Sequence, residues 1–311
     1  MPFFAPVRVR TIFTSLCVIA ASGLQAFAED IPRVTIATKR FDGVQLMSVG
    51  IDGSNPVQIT HEPSEATQPT WCPDGSKIAY VAGPTYHGII KVMDADGKNA
   101  HVLFDGTGSQ RTPQWSPDGK QIAFSMAMDD NFNYDLFVIN ADGTGLKNLT
   151  NSPIFEADPA WSPDGKKLAY VIAIPGQFPN LCVMNPDGSE QQTDILHRTL
   201  NVAVYPSWSH DGKQITFGAP DDNGQIQITQ VNSDGTGNTV LTRGPQPHSY
   251  AAWSTDGQYL VYVSDPGEEA GDLCIYDVVA GEHRVVLKGE VFQELFRDAR
   301  PSWEPSASKA K

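Results

Sequence analysis

Pro113-Gln-Trp-Ser-Pro-Asp-Gly119, running on into Gln121-Ile-Ala-Phe-Ser125, decides how this chain folds, because it recurs. Close copies read Pro69-Thr-Trp-Cys-Pro-Asp-Gly75, Pro159-Ala-Trp-Ser-Pro-Asp-Gly165 and Pro206-Ser-Trp-Ser-His-Asp-Gly212. Ala251-Ala-Trp-Ser-Thr-Asp-Gly257 is looser, and Pro301-Ser-Trp-Glu-Pro305 lacks the Asp-Gly pair. Every tryptophan of the chain belongs to this series: Trp71, Trp115, Trp161, Trp208, Trp253 and Trp303, spaced 44, 46, 47, 45 and 50 residues apart. A period of that length marks stacked supersecondary units, each unable to bury its apolar surface alone.

Each copy reads as a strand entering a hairpin. Asp bonds its own backbone two residues on, and Gly takes the left-handed conformation other residues resist. Asp74, Asp118, Asp164, Asp211 and Asp256 are therefore assigned to turn chemistry, repeated at every hairpin, rather than to calcium. A second strand follows each turn, as in Lys77-Ile-Ala-Tyr-Val81. A third ends in another turn, as in Asp135-Leu-Phe-Val-Ile-Asn-Ala-Asp-Gly143. A short fourth closes the unit, as in Leu146-Lys-Asn-Leu-Thr150. Four antiparallel strands per repeat is the signature of a propeller blade.

The chain ends complete the count. Residues 31 to 60 supply three strands and no tryptophan strand, whereas the C-terminus supplies a lone tryptophan strand. Together they make one blade. The sequence therefore predicts an all-β, six-bladed β-propeller of four antiparallel strands per blade, its ring closed by pairing the N-terminal and C-terminal strands.

Residues 1–28 read as a signal peptide. Arg8 and Arg10 give a positive start, Thr11 to Ala21 an apolar core too short to span a bilayer, and Ala26-Phe27-Ala28 a cleavage site before Glu29. Residues 29–311 are assigned to the propeller, in a mature protein that is periplasmic or secreted, monomeric and without a membrane span. Setting aside Arg8 and Arg10 leaves 20 basic against 36 acidic residues, a net of −16. So negative a surface repels phosphate backbones and excludes nucleic acid as the expected partner. Cys72, Cys182 and Cys274 remain after cleavage, with no metal-type spacing, and read as small buried hydrophobes.

Trp115-Ser-Pro-Asp-Gly-Lys120, the strand Ile122-Ala-Phe124 and the turn Asn140-Ala-Asp-Gly143, in five full copies, resemble the TolB-type, WD40-repeat-like propellers of the cell envelope. The resemblance covers the whole mature chain. It implies a non-catalytic protein-interaction module, possessing no cofactor, whose partner is a protein or peptide such as an envelope lipoprotein of the Pal kind. The family's namesake also carries a smaller α/β domain before its propeller, through which much of its communication with TolA runs. Here the expected signal peptide leads directly into the ring.

Strand order places the stereotyped Asp-Gly turns on one face and the variable loops on the other, which is the expected binding face. The position two or three residues before each tryptophan is expected at the mouth of the central channel: Gln68, Thr112, Asp158, Tyr205, Tyr250 and Arg300, with Arg111 beside them. Aromatic, arginine and acidic residues there suit protein recognition. Two metal readings stand beside this one. Asp129-x-Asn131-x-Asn133-x-Asp135 alternates oxygen ligands but lacks the glycine and distal glutamate of a calcium loop. His61, His87, His197 and His248, from loops of different blades, would serve an oligogalacturonide-lyase-like propeller with manganese. No Gly-x-Ser-x-Gly elbow, P-loop, dinucleotide fingerprint or His-Glu-x-x-His occurs in the sequence.

Overall fold

The structure, a computed structural model, describes residues 31–84, 87–104, 106, 108–128, 133–177, 179–193, 195–196, 204–265, 270–292 and 300–306. The expected signal peptide lies outside these residues.

Six antiparallel sheets, one per repeat, follow one another around a ring. The chain opens with β1 (Arg33–Phe41), β2 (Gly43–Gly50) and β3 (Val57–Gln58). Blade two is β4 (Ala66–Trp71), β5 (Lys77–Ala82), β6 (Ile89–Asp94) and β7 (His101–Val102). Blade three is β8 (Ser109–Trp115), β9 (Gln121–Ala127), β10 (Tyr134–Asn140) and β11 (Lys147–Asn148). Blade four holds β12 (Phe155–Trp161), β13 (Leu168–Ala173) and β14 (Asn180–Met184), its fourth strand reduced to a single bridge between Val183 and Gln192. Blade five is β15 (Val204–Trp208), β16 (Gln214–Pro220), β17 (Ile226–Asn232) and β18 (Thr239–Val240). Blade six is β19 (His248–Trp253), β20 (Tyr259–Ser264), β21 (Ala270–Asp277) and the long β22 (Glu282–Phe292). The last strand, β23 (Ser302–Trp303), returns to pair with β1, Val34 opposite Trp303 and Thr35 opposite Ser302. Blade one is thus built from both ends of the chain, as the sequence predicts.

Apolar residues on both sides of each inner strand explain why the sheets stack. Six buried clusters form, one for each pair of neighbouring blades. One joins Ala37 and Leu46 to Ile78 and Tyr80; another, closing the ring, joins Val34 and Met47 to Val261 and Ile275. The tryptophans fasten the inner ends. Trp161, Trp208 and Trp303 donate their indole N–H to the carbonyls of Gln114, Ala160 and Ala252, each the residue before the preceding blade's tryptophan. Trp71 instead reaches Thr35 Oγ1 at 2.9 Å.

The Asp-Gly turns hold a bond set that sequence motifs only hint at. In blade three, Ser116 Oγ donates to Asp118 (2.7 Å) and accepts from the amide of Gln121 (3.0 Å), while Asp118 accepts from the amide of Lys120 (3.1 Å). Ser162, Ser209 and Ser254 repeat the arrangement with Asp164, Asp211 and Asp256. Blade two carries Cys72 in place of the serine, and Ser76 Oγ bonds Asp74 instead (2.7 Å). The turns between third and fourth strands do a different job. A Cβ on Gly143 would strike the carbonyl of Leu103 in the preceding blade, and one on Gly188 would sit 2.7 Å from that of Leu149. Glycine there permits blade-to-blade approach as well as a positive φ.

On the opposite face, threonines pin the blade-joining loops. Thr60 accepts from the amide of Leu46 and donates to Gln45 Oε1. Thr242 does the same with Ile228 and Gln227.

Candidate functional site

The channel positions are shaped by a β-bulge that recurs in β4, β8, β12, β15 and β19. Pairing jumps from Thr67 to Thr70, Arg111 to Gln114, Ala157 to Ala160, Val204 to Ser207 and Ser249 to Ala252. Two residues therefore oppose one, which leaves the extra residue outside the ladder. The first bulge residue takes a left-handed φ in all five: Gln68 (53°), Thr112 (52°), Asp158 (58°), Tyr205 (56°) and Tyr250 (58°). The second is proline in four of them, Pro69, Pro113, Pro159 and Pro206, tolerated because a bulge asks for no ladder hydrogen bond. Such φ values are costly for non-glycine residues and persist only where packing over-determines them.

These residues meet around the ring. Gln68 Oε1 accepts from the amide of Thr112 in the next blade at 2.5 Å, and Thr112 Oγ1 lies 2.9 Å from Ser125 Oγ. The Tyr205 and Tyr250 rings lie 4.2 Å apart, tilted by 34°. Gln68, Thr112, Asp158, Tyr250 and Arg300 are buried and Tyr205 half-buried, rather than standing out at an exposed rim. Tyr250 also belongs to the apolar cluster between blades six and one.

Two cavities adjoin this ring. The first, about 300 Å³, lies between blades three and four at the loop-face ends of their strands. It gathers Arg111, Asp158 and Tyr205 with Tyr134, Phe155 and Pro179. The Arg111 guanidinium sits 5.3 Å from the centre of the Tyr134 ring, and Tyr134 meets Phe155 edge-on at 5.5 Å. Four residues expected at the channel mouth, Arg111, Thr112, Asp158 and Tyr205, are thus brought together; Tyr134 and Phe155 join them as strand ends that the tryptophan register does not reach. The second cavity, about 260 Å³, is walled by all six tryptophans and holds Arg300. It reaches the surface among exposed Pro73 and Thr255, on the turn face. Gln68 and Tyr250 line neither.

The residues of the metal readings go elsewhere. His61 and His87 are exposed, and His197 lies outside the described residues. His248 stacks edge-on against Tyr262 with Nδ1 2.8 Å from Gln227 Oε1, and burial pulls its pKa down to about 4. Among the described residues no three His, Cys, Asp or Glu side chains cluster to hold an ion. Asp129 and Asn131 also fall outside them. Asp135 accepts from Asn148 (2.7 Å) and the Ser152 amide (3.1 Å), and Asn133 donates to the Ser152 carbonyl, so both brace a blade-joining loop. Cys72, Cys182 and Cys274 are free and buried, and burial pushes the thiols of Cys72 and Cys274 up to about 11.

Comparison with known proteins follows this architecture. The family described as the TolB beta propeller domain matches residues 25–190 and 89–310. The crystal structure of TolB from Acinetobacter baumannii superposes with a TM-score of 0.74 at 22% identity, covering 88% of this chain and 67% of that one. A putative TolB from Agrobacterium tumefaciens gives 0.67 at 20% identity over 84% of this chain and 90% of that one. A curated relative, dipeptidyl-peptidase 5 of Porphyromonas endodontalis, is 34% identical over 85 residues, 27% of this chain and 12% of that protein. The match thus spans about an eighth of the peptidase's length.

Proposed function

We propose that this chain, which belongs to the TolB beta propeller domain family, is a non-catalytic protein-interaction module of the cell envelope. Residues 1–28 direct its export to the periplasm, and its loop face takes a protein or peptide partner of the Pal-lipoprotein kind. The observation that carries this reading is the loop-face cavity. Arginine and aromatic side chains converge on a concave apolar pocket of about 300 Å³, the composition and shape in which binding hot spots concentrate.

The pocket suits an inserted side chain rather than a reaction. Tyr134 is anchored by its hydroxyl to Ser109 Oγ at 3.0 Å, so its ring is a fixed wall. Phe155 closes the far side, and Arg111, held over the Tyr134 ring, presents a cation at the rim. The partial match to a peptidase spans 85 residues, 12% of that protein's length.

The test is a crosslinking capture from envelope extract with the purified chain, the wild type beside Arg111→Ala and Phe155→Ala. A discrete partner captured by the wild type and lost from both variants, each still folded by thermal melt, is the expected result. Equal capture by all three removes the loop-face cavity from the binding site. Cleavage of polygalacturonate by the purified chain would replace this reading by the lyase one.

A further inference from the structure

We propose that the tryptophan-walled cavity at the turn-face end of the channel is a second binding site, for a carboxylate carried on a compact apolar body, with Arg300 as its receptor. The site opens on the face opposite the loop-face cavity and stands or falls without it.

Arg300 carries the argument. It is only 8% exposed, lines the cavity, and its Nη2 makes no hydrogen bond among the described residues. No described carboxylate pairs with it, and among the described residues it is the one charged side chain on the cavity wall. A guanidinium removed from water with donors unused is a costly arrangement that proteins retain when something supplies the missing acceptor. Its planar fork matches a carboxylate with two parallel N–H···O bonds. A single positive charge balances a monoanion, whereas a phosphate dianion would leave surplus negative charge in a low-dielectric pocket.

The walls specify the rest of the ligand. Six indoles, with Pro69, Pro206 and Ala252, surround a space of about 260 Å³, large enough for a small aromatic or branched aliphatic group. Exposed Pro73 and Thr255 mark where the ligand enters, so the carboxylate leads and the apolar body follows. The formal net charge of −14 repels anions at long range, so occupancy has to come from these local contacts rather than from electrostatic steering.

Because all six tryptophans of the chain face this cavity, intrinsic fluorescence reports its occupancy without a label. The probes are 3-phenylpropionate, its neutral amide, phenyl phosphate and a capped peptide carrying Phe-Glu. Saturable quenching by 3-phenylpropionate, absent with the amide and weakened roughly thirtyfold or more in Arg300→Gln, is the expected result. Arg300→Lys, which keeps charge but loses the fork, should fall between. Arg300→Met should melt higher than the unliganded wild type and gain nothing from the carboxylate, since the buried charge is gone. Response to the capped peptide as well assigns the carboxylate to a protein side chain; response to the free acid alone assigns it to a small molecule. The proposal is overturned if the amide binds as well as the acid, if phenyl phosphate alone binds, or if Arg300→Gln titrates like the wild type. It is overturned too if Arg300→Met melts markedly lower, since Arg300 would then be a structural strut.

Discussion

On the turn face, Ser116, Ser162, Ser209 and Ser254 make the same two bonds with the same partners, blade after blade. On the loop face the corresponding task, holding a blade-joining loop, is done by Gln45 in one blade, Gln227 in another and Asp135 in a third. The difference lies in what each face must satisfy. A tight hairpin has one cheap solution, so its residues repeat. A loop that needs only an acceptor for a threonine or an amide has several, and the freedom left over lets Arg111, Phe155 and Asp158 differ from their counterparts. Repetition marks the frame, and its lapses mark where chemistry can be placed.

The largest effect should come from breaking both faces at once. Deleting residues 298–311 removes β23, leaves one edge of β1 unpaired and takes away Trp303, whose burial alone is worth ~3–5 kcal/mol. Loss of soluble protein, or a denaturation midpoint shifted by more than that of any point variant, is expected. An unchanged melt would refute ring closure through β1 and β23.

Next in size is a pair of glycines that share a backbone conformation. Gly143 on the turn face has φ +82° and packs on the Leu103 carbonyl; Gly176 on the loop side has φ +79° and nothing within 4 Å. Both alanine variants pay the φ penalty, of order 1 kcal/mol. Gly143→Ala should lose about 1–2 kcal/mol more, because blade three must move away from blade two. Equal losses in urea denaturation would mean that the contact is dispensable.

Acid should separate the faces again. Burial holds His248 near 4 rather than 6.5, so the unfolded chain takes up its proton first as pH falls. Its contribution is complete above about 6.5 and is lost towards 4. The Lys213 amide and Ser209 hydroxyl hold Asp211 down to about 2 from 3.8, so its contribution is complete above 3.8 and lost towards 2. His248→Gln should flatten only the upper step of a melting-temperature profile, and Asp211→Asn only the lower. A single step unaffected by either change would contradict the assignment.

The smallest stability change should accompany Arg111→Ala, which loses a cation–π contact worth ~0.5–1 kcal/mol. Partner affinity should fall further, by ~1–3 kcal/mol if Arg111 anchors the partner. Calorimetric titration beside a thermal melt reads both.

The blade count and the split first blade were legible because tryptophan and Asp-Gly punctuate the chain at fixed intervals. The channel ring was legible as a set of positions but not as buried ones, since a bulge changes which way a residue points. Its signal was present all the same: Pro69, Pro113, Pro159 and Pro206 sit inside strands where a regular ladder would exclude proline. The turn-face cavity was invisible because it is made by six tryptophans converging from separate blades, which only closure of the ring brings together. The meeting of Tyr134 and Phe155 was not legible, because it depends on how blades three and four stack.

Pairing Val34 with Trp303 sets a timetable for the chain's birth. Five blades are formed from local hairpins and can assemble as they emerge, but blade one waits, half built, until β23 has emerged. Until then Val34, Ile36 and the apolar flank of blade six face water, and the growing chain carries an open seam. β23 acts as a latch, so a nascent chain that stalls just before it is more hazardous than one that stalls early. Contacts this distant in sequence also slow the last step of folding, which places the whole burden of keeping the seam unstuck on the interval before β23 emerges.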